Sequence, residues 1–279
     1  MLISQRNRNK MTKIYSTTGK PKGDVKLPHV FSTEYRPDMI QRAVVMLQAN
    51  ERSTYGASPA AGFMTSADYY GRRRGGFRQT INRGMSRLPR IKPGGGGLGN
   101  VRRVPQSVGG RRAHPPKMRD YSLKMNKKEY LLALKSALAA TTRIDLVKAR
   151  GHELGDLAET PLVVEDSIQK IDNTKQLLSS LNSLGLEADL KRAEEKKIRA
   201  GRGKMRGRKY RGKKSLLIVI GKDEGLGRVD NIPGVDVVKY DKLDVQMLAP
   251  GTHPGRLTVY TESALKGIDE FFGLNDGKP

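Results

Sequence analysis

The residues of this sequence whose types and spacing could do chemistry are arginines, not carboxylates or histidines. The stretch from Gly71 to Arg119 contains fourteen Lys or Arg residues and no Asp or Glu. Solvated surfaces usually mix the two signs of charge, so a run of one sign indicates a partner of the opposite sign. Guanidinium forks match phosphate oxygens, and interspersed glycines let the backbone approach a polyanion closely. The chemistry predicted for this stretch is phosphate binding.

A second basic segment runs from Lys191 to Lys214, with thirteen Lys or Arg against Glu194 and Glu195. The whole chain of 279 residues carries a formal charge of +25, which is tolerable if a polyanion neutralises it. RNA is favoured over an anionic membrane, because the basic segments lack the apolar stripe of an interfacial helix. Aromatic residues are sparse, so contacts with phosphates and with the shape of folded RNA are predicted instead of base stacking.

Catalytic and metal-binding patterns are weak, and the sequence predicts neither a cofactor nor a metal. There is no Cys. The four histidines are His29, His114, His152 and His253. They lack metal-ligand spacing, so structural or RNA contacts are predicted for them. Gly94, Gly96 and Gly99 match a dinucleotide fingerprint but lack its strand, helix and acid. The segment GKDEGLGR, after a predicted strand ending at Ile220, reads as a strand-to-helix turn in preference to a phosphate loop.

The elements that must position these segments are predicted from apolar periodicity. KIYSTTGKPKGDVKLPHVF, residues 13–31, is typical of a strand, a turn and an extended return. Pro37 suits the first turn of a helix. The apolar face of that helix comprises Met39, Ile40, Ala43, Val44 and Leu47. After the basic stretch, N-K-K-E from Asn126 resembles a capping box. The helix that follows has Leu131, Leu134 and Leu138 on one face.

Strands and helices alternate in the C-terminal half. TPLVVED, KSLLIVIG, VDVVKY and RLTVYT predict buried strands, and KLDVQML and ESALKGIDEFFG predict short helices. SIQKIDNTKQLLSSLNSLG predicts one helix that Gly185 ends. Its inward residues are predicted to be Ile168, Ile171, Leu178 and Leu181. The predicted fold class is α/β, with a mostly parallel sheet covered by helices and a long extended internal loop.

Long, compositionally unusual segments then carry a resemblance to a known family. They include RPDMIQRAV, YYGRRRGGFRQTINRGMSRLPRIKPGGGGLGNVRR, QSVGGRRAHPPK and RLTVYTESALKGIDEFF. The chain resembles the family of the universal ribosomal protein four of the large subunit, in its archaeal and eukaryotic form. The resemblance implies an α/β globule on the subunit surface and an internal loop that threads rRNA to the wall of the nascent-peptide exit tunnel. Because no long basic tail precedes the end at Pro279, the archaeal form is expected.

Carried onto this chain, the resemblance implies a globular domain of residues 1–54 and 118–279, with an extended rRNA-penetrating loop of residues 55–117. The rRNA-binding residues predicted in the loop are Arg72, Arg73, Arg74, Arg78, Arg83, Arg87, Arg90, Lys92, Arg102, Arg103, Arg111, Arg112, His114 and Lys117. The tunnel-facing tip residues are predicted to be Arg87, Arg90, Lys92, Gly95, Gly96, Gly97 and Arg102. From charge alone, the second basic segment contributes Arg202, Lys204, Arg206, Arg208, Lys209 and Arg211.

The predicted function is that of a structural, non-enzymatic constituent of the large ribosomal subunit in the cytoplasm. Its expected partners are large-subunit rRNA, neighbouring ribosomal proteins and the nascent polypeptide, with neither membrane association nor homo-oligomerisation. No membrane span is expected, because the longest aliphatic run, Leu216 to Ile220, is only five residues. Two alternatives stay open. An RNA-modifying enzyme with a basic guide arm would need a cofactor at GKDEGLGR, and a free RNA-binding regulator would use the same basic residues.

Overall fold

The structure of this chain is a computed structural model that describes residues 11–69, 80–93, 97–155, 157, 159–226 and 231–276. The chain divides into two compact units, each described separately below. Unit 1 comprises Met1–Ala49 and Leu123–Pro279, and unit 2 comprises Asn50–Ser122. The loop of residues 55–117 lies within unit 2, and its extended, RNA-penetrating form stays a prediction.

Unit 1 is built on a six-stranded sheet. In chain order the strands of the unit are β1 (Met11–Tyr15), β2 (Pro21–Lys26), β3 (Leu162–Val164), β4 (Lys197–Ile198), β5 (Tyr210–Arg211), β6 (Leu217–Ile220), β7 (Asp236–Lys239) and β8 (Thr258–Thr261). The sheet order is β2-β1-β3-β8-β6-β7, and β4 pairs with β5 in a separate two-stranded hairpin. The β1–β2 pair is antiparallel, whereas every other pair in the large sheet is parallel. The predicted mostly parallel α/β fold is therefore confirmed.

Seven α-helices are present among the described residues. They are α1 (Pro37–Glu51), α2 (Lys127–Thr141), α3 (Ile144–Ala149), α4 (Thr174–Ser183), α5 (Glu187–Glu194), α6 (Val245–Leu248) and α7 (Glu262–Asp276). The predicted first helix is confirmed, with Ile40, Ala43 and Val44 buried. No helix in the described part of the chain combines the length and apolar character needed to cross a membrane.

The core of unit 1 lies on both faces of the sheet. Successive side chains of a strand point to opposite faces, and β6 illustrates the consequence. Leu217 and Val219 join the cluster that includes α1, α2 and α7, whereas Ile218 and Ile220 join the cluster that includes α4 and α5. All four β6 residues are buried. Burial on both faces explains why this strand is a continuous apolar run without alternation.

Two predictions of local structure are wrong. The single helix predicted from residue 167 onward is instead a 3-10 helix, Asp166–Lys170, followed by α4. Because α4 begins anew at Thr174, its buried positions are Leu177 and Leu181, whereas Leu178 is 38% exposed. The capping box at Asn126 also fails, since that side chain makes no capping hydrogen bond. Gly185 does end the helical region, with a φ of +79°.

Candidate nucleic-acid interface

The two ends of unit 2 are held side by side. The backbone N–H of Ala57 donates to the carbonyl oxygen of Pro116 at 2.9 Å. Nearby, the rings of Tyr55 and Tyr121 are stacked, with centroids 6.4 Å apart and an interplanar angle of 16°. The guanidinium of Arg52 lies 4.0 Å from the centroid of the Tyr121 ring. These aromatic and cation–π contacts add to the hydrogen bond that joins the two ends.

Next to these contacts, two segments of unit 2 lie close together. Residues 56–63 form the first limb and residues 110–118 form the second limb of a groove of about 700 Å³. Gly62, in the first limb, has a φ of +81°, and a Cβ there would lie 2.6 Å from Cβ of Arg111. Both the backbone conformation and the lack of space therefore require glycine. The Phe63 ring lies 5.6 Å from the Arg111 guanidinium, so an aromatic side chain faces the second limb.

Further along unit 2, three segments pair through Arg90. The backbone of Arg90 exchanges two hydrogen bonds of 3.1 Å with the backbone of Asp68. An antiparallel bridge joins Arg90 to Val101 on its other side. The adjacent Ile91 donates to the carbonyl oxygen of Asn100 at 3.0 Å. The arginine-rich region thus has backbone order of its own, although its composition suggests no helix or strand.

Several predicted RNA-binding residues also hold unit 2 together. Nη2 of Arg90 donates to Oγ of Ser86 at 2.7 Å. Arg103 has a φ of +70° and donates from Nη1 to the carbonyl oxygen of Ala67 at 3.0 Å. Arg102 donates from Nη1 to the carbonyl oxygen of Val108. Each guanidinium has five N–H donors, so these bonds leave capacity for a further ligand. Lys92 lies 3.9 Å from a carboxylate oxygen of Asp68.

The other described residues predicted to bind rRNA in unit 2 are mostly exposed. Arg83, Arg87, Arg112, His114 and Lys117 are exposed, and Arg111 is half-buried. Gly97 has open space where a Cβ would project. The other predicted residues, Arg72, Arg73, Arg74, Arg78, Gly95 and Gly96, lie outside the described residues. The structure therefore presents a set of exposed cations in unit 2 but leaves their ligand to be identified.

The second basic segment forms a small hairpin on unit 1. Strands β4 and β5 pair antiparallel, and a 3-10 helix, Arg202–Arg206, lies between them. Its predicted RNA-binding residues are all exposed: Arg202, Lys204, Arg206, Arg208, Lys209 and Arg211. At the base of the hairpin, Nζ of Lys213 pairs with Glu195 and Nζ of Lys214 pairs with Asp236, both at 2.8 Å. Glu195 and Asp236 are thus engaged at the base, and the hairpin itself presents cations.

A buried polar network behind this hairpin was not predicted from the sequence. Nδ1 of His152 lies 3.1 Å from Oδ1 of Asp189, and the hydroxyl of Ser215 donates to Oδ2 of Asp189 at 2.5 Å. Nε of Arg192 donates to Oδ1 of Asp189 at 2.8 Å, and the backbone N–H of Glu153 donates to the same oxygen at 3.1 Å. The backbone N–H of Leu257 points at Nε2 of His152 at 3.3 Å. Because Nε2 accepts this hydrogen bond, Nε2 is the unprotonated ring nitrogen. Nδ1 therefore carries the proton and donates a hydrogen bond to Asp189.

This network shifts the pKa values of both its acid and its base. Burial raises the pKa of Asp189, but hydrogen bonds from its three neighbours outweigh burial and hold that pKa well below the ordinary range. Burial lowers the pKa of His152, although the hydrogen bond to Asp189 opposes this. Although Ser, His and Asp occur together, Ser215 donates to the carboxylate and not to the imidazole. The arrangement is structural, because nucleophilic catalysis needs the histidine to accept the serine proton.

Arg256 is the second buried charge that sequence reasoning missed. Its side chain is 1% exposed and donates to the carbonyl oxygens of Ser215 at 2.8 Å and of Leu216 at 3.0 Å. It also donates to the carboxylate of Asp236 at 2.5 Å. One guanidinium thereby ties together β6, β7 and the start of β8. A lone Arg before an apolar strand gives no sequence signal for such a role.

The turn that an RNA-modifying enzyme would need for its cofactor is filled by side chains. Nε2 of Gln169 donates to the hydroxyls of Thr261 at 3.1 Å and Ser263 at 2.7 Å, at the end of β8. Oε1 of the same residue accepts from the backbone N–H of Lys222 at 3.0 Å. A Cβ on Gly221 would lie 2.2 Å from the Ser263 hydroxyl oxygen. The described part of GKDEGLGR therefore packs against the side chains of Gln169 and Ser263, and its interpretation as a strand-to-helix turn stays a prediction.

Together, the parallel α/β sheet and the exposed, acid-poor cations are typical of an RNA-binding protein. The family model described as the Ribosomal protein L4/L1 family matches residues 25–271. The chain belongs to this family. A protein of Methanococcoides burtonii named large ribosomal subunit protein uL4 is 47% identical over 262 residues, covering 93% of this chain and 98% of its own. A protein of the same name from Haloquadratum walsbyi is 46% identical, and the match covers 92% of this chain and 98% of that protein.

The relatives bear on the type and on the chemistry of the protein. A third relative of the same name, from Methanosphaera stadtmanae, is 41% identical over 265 residues, covering 94% of this chain and 97% of its own. All three come from archaea, so the predicted archaeal type is confirmed. Members of the family are structural constituents of ribosomes, and the prediction that this chain is not an enzyme is confirmed at that level.

Proposed function

We propose that this chain is a structural constituent of the cytoplasmic large ribosomal subunit and binds large-subunit rRNA through both units. The observation that carries the proposal is the similarity to archaeal relatives named large ribosomal subunit protein uL4, which spans nearly the full length of both chains. The exposed cations of unit 2 and of the β4–β5 hairpin support it, because phosphate binding needs charges that are not already paired. Neighbouring ribosomal proteins are the second class of partner.

Within unit 2, the exposed basic residues of the second limb are proposed as rRNA anchors. Arg112, His114 and Lys117 lie in or beside the second limb and face solvent. The guanidinium of Arg111 lies against the Phe63 ring, which orients the guanidinium without neutralising its charge. Arginine can bind a phosphate through two parallel hydrogen bonds, which fixes position as well as adding affinity. The predicted anchors outside the described residues, Arg72, Arg73, Arg74 and Arg78, are proposed to act in the same way.

The region from Ser86 to Arg103 is proposed as the tip that reaches the exit tunnel and meets the nascent polypeptide. Arg90 and Arg102 use part of their hydrogen-bonding capacity inside unit 2, so they are proposed to shape the tip as well as to contact RNA. Arg87, Lys92 and Gly97 are exposed and are proposed as its contact surface. Gly95 and Gly96 complete the proposed tunnel-facing set.

The proposal is tested by measuring the affinity of the full chain for large-subunit rRNA between about 0.05 and 0.5 M KCl. If eight phosphates are contacted, log affinity falls by about 5 to 7 per decade of salt. Arg112→Gln is expected to reduce the magnitude of that slope by about 0.7 to 0.9. Lys175→Gln, which removes an exposed charge of α4, is the matched control and should leave the slope unchanged. A slope near −1 for the unmodified chain would contradict RNA binding by these cations.

Sedimentation separates a ribosomal constituent from a free regulator. Cell extract is run through a sucrose gradient at about 0.5 M salt, where the Debye length falls to several ångströms and weakly held basic proteins dissociate. A chain locked into folded rRNA stays with the large subunit. A chain that remains at the top of the gradient would instead be an exchangeable RNA-binding protein.

A further inference from the structure

A cleft of about 630 Å³ opens on unit 1. Three segments that are distant in sequence supply its polar wall. Arg150 comes from the end of α3, Arg211 from β5 and His253 from the loop before β8. Tyr35 and Pro254 add apolar surface. Among the described residues that line this cleft there is no Asp or Glu, so its wall is positive.

Arg150 is held rigidly in this wall. Its Nη2 donates to the carbonyl oxygen of Pro250 at 3.2 Å, and its Nη1 donates to the carbonyl oxygen of His253. Carbonyl oxygens fix the orientation of the guanidinium, but they do not neutralise its charge. A guanidinium has further N–H donors, which remain for a ligand. The cleft therefore contains an oriented cation before any ligand arrives, which reduces the entropic cost of binding.

The charges around Arg150 make an anion favourable there. Burial lowers the pKa of Arg150 to about 10, and the neighbouring cations Arg256 and Arg192 act in the same direction. Arg256 and Arg192 have carboxylate partners in Asp236 and Asp189. No ion pair joins Arg150 to a carboxylate in the described part of the chain, although its side chain is partly desolvated. A partly buried cation without a counter-ion is stabilised by an anion from outside.

The shape and chemistry of the cleft fit a phosphate with a nucleotide attached. The volume lies within the range of about 300–1,000 Å³ that is typical of small-molecule sites, and it far exceeds what a single ion fills. Arg211 lies on the second basic segment, whose other cations face solvent around it. A polyanionic chain that follows those cations would bring successive phosphates past the opening. A free phosphate would use Arg150 and Arg211 but would leave the apolar surface uncovered.

We propose that the cleft between Arg150, Arg211 and His253 binds a backbone phosphate of RNA and admits the attached nucleotide. The inference rests on the proposed RNA-binding function and adds to it a specific pocket on unit 1, distinct from the diffuse cations of unit 2. Inorganic phosphate and nucleoside monophosphates carry the same chemistry and are the alternative sources. An acidic peptide segment of a neighbouring protein would offer carboxylates instead.

The histidines provide a site-specific readout. The chain has four, and His253 is the one among them that lines this cleft. Proton NMR of the full chain at constant pH and ionic strength follows the four imidazole signals, with the signal of His253 assigned through His253→Asn. Titration with inorganic phosphate, with a mixed-sequence RNA 12-mer lacking terminal phosphates, and with a poly-glutamate peptide tests the three ligand sources. We expect both phosphate and RNA to shift the His253 signal saturably. We also expect each of the two ligands to compete with the other for the site.

Matched variants define the site. Arg211→Gln is expected to weaken the RNA affinity measured from the His253 signal by about tenfold. This is the scale of one charge-assisted hydrogen bond. Lys175→Gln, which removes an exposed charge of α4 that does not line the cleft, should leave that signal's titration nearly unchanged. Both side chains are exposed, so neither variant should disturb folding.

Each other outcome overturns the inference. A His253 shift with inorganic phosphate that RNA does not reverse would assign the cleft to a free phosphate, and displacement by poly-glutamate but not by RNA would assign it to a protein partner. If RNA binds the chain while the His253 signal stays in place, the cleft is not an RNA site, although the proposed function stands. If RNA does not bind the chain at all, the proposed function itself fails.

Discussion

The imidazole Nδ1 of His152 and the carboxylate Oδ1 of Asp189 lie 3.1 Å apart in the interior of unit 1, although 37 positions separate them in the chain. Their side chains are 1% and 0% exposed. The pair ties the segment after α3 to α5, the helix that leads into the basic hairpin. The same carboxylate accepts from Ser215, just before β6. A buried hydrogen-bonded carboxylate thus fixes the base from which the second basic segment projects.

We predict that stability falls on mild acidification. Because burial lowers the pKa of His152 below its ordinary 6.5, the unfolded chain binds a proton in a pH range where the folded chain does not. The stabilisation is complete above about pH 6.5 and is lost as the pH falls through the folded pKa. Urea denaturation of RNA-free protein between pH 7 and 5 is expected to show a loss of up to about 1.4 kcal/mol per pH unit.

Two histidine variants isolate the residue responsible. His152→Gln removes the titrating group and should flatten the slope above pH 5, although the variant is less stable throughout. His253→Asn removes a histidine outside this buried pair and should keep the slope. Below about pH 4 a further loss is expected in every variant, because the pKa of Asp189 is also depressed in the folded state. An unchanged slope in His152→Gln would show that another group causes the acid sensitivity.

We predict that Arg256→Met destabilises unit 1 by about 3–5 kcal/mol, because the buried guanidinium donates charge-assisted hydrogen bonds to two carbonyl oxygens and to the carboxylate of Asp236. The substitution removes the guanidinium donor from the carbonyl oxygen of Ser215 and one of the two donors to that of Leu216, which keeps the N–H of Asp236. Equilibrium urea denaturation measures the change. The matched control is Arg42→Met, whose side chain is 64% exposed and lies 3.6 Å from Glu129. An exposed pair of this kind contributes less than about 1 kcal/mol, so equal losses in the two variants would refute a special role for Arg256.

The sequence allowed the central strands of the sheet to be predicted because runs such as Leu216–Ile220 are short, continuously apolar and bounded by Ser215 and Gly221. The same reasoning failed at Leu178. A single helix from residue 167 would bury it, but the chain leaves helical geometry after Lys170 and restarts at Thr174, which rotates the apolar face. Within the 3-10 helix, Gln169 donates to Thr261 at the end of β8, and periodicity does not record a contact between residues 92 positions apart.

The sequence predicted that the candidate interface binds phosphate, but it did not predict which hydrogen bonds hold the interface together. One-signed charge identifies Arg90 and Arg87 equally as cations. The structure distinguishes them, because Arg90 hydrogen-bonds to Ser86 whereas Arg87 is exposed. The cleft around Arg150 was missed entirely, since its lining comes from segments that are far apart in sequence and that carry no motif.

We predict that Gly62→Ala loosens the pairing of the two limbs of unit 2. Alanine is strained at a φ of +81°, and its Cβ would lie 2.6 Å from Cβ of Arg111. Trypsin cleavage after Arg111 and Arg112 in the free chain is expected to accelerate several-fold. Gly23→Ala is the control, because nothing lies within 4 Å of the added Cβ and that glycine does not have a positive φ. Equal cleavage rates in both variants would mean that the limbs do not depend on the close approach at Gly62.

We predict that Arg87 and Arg90 contribute to RNA binding in separable ways. Arg87→Gln removes an exposed charge, so it should reduce the magnitude of the salt slope for rRNA by about 0.7 to 0.9 and leave amide exchange in the free protein unchanged. Arg90→Gln removes the donor to Ser86 and should accelerate amide exchange at Ile91, whose N–H bonds to Asn100. Arg90→Lys keeps the charge but loses the planar fork, and it should resemble Arg90→Gln in exchange. If Arg90→Lys exchanges like the unmodified chain, charge alone explains Arg90, and its hydrogen bond to Ser86 does not organise the tip.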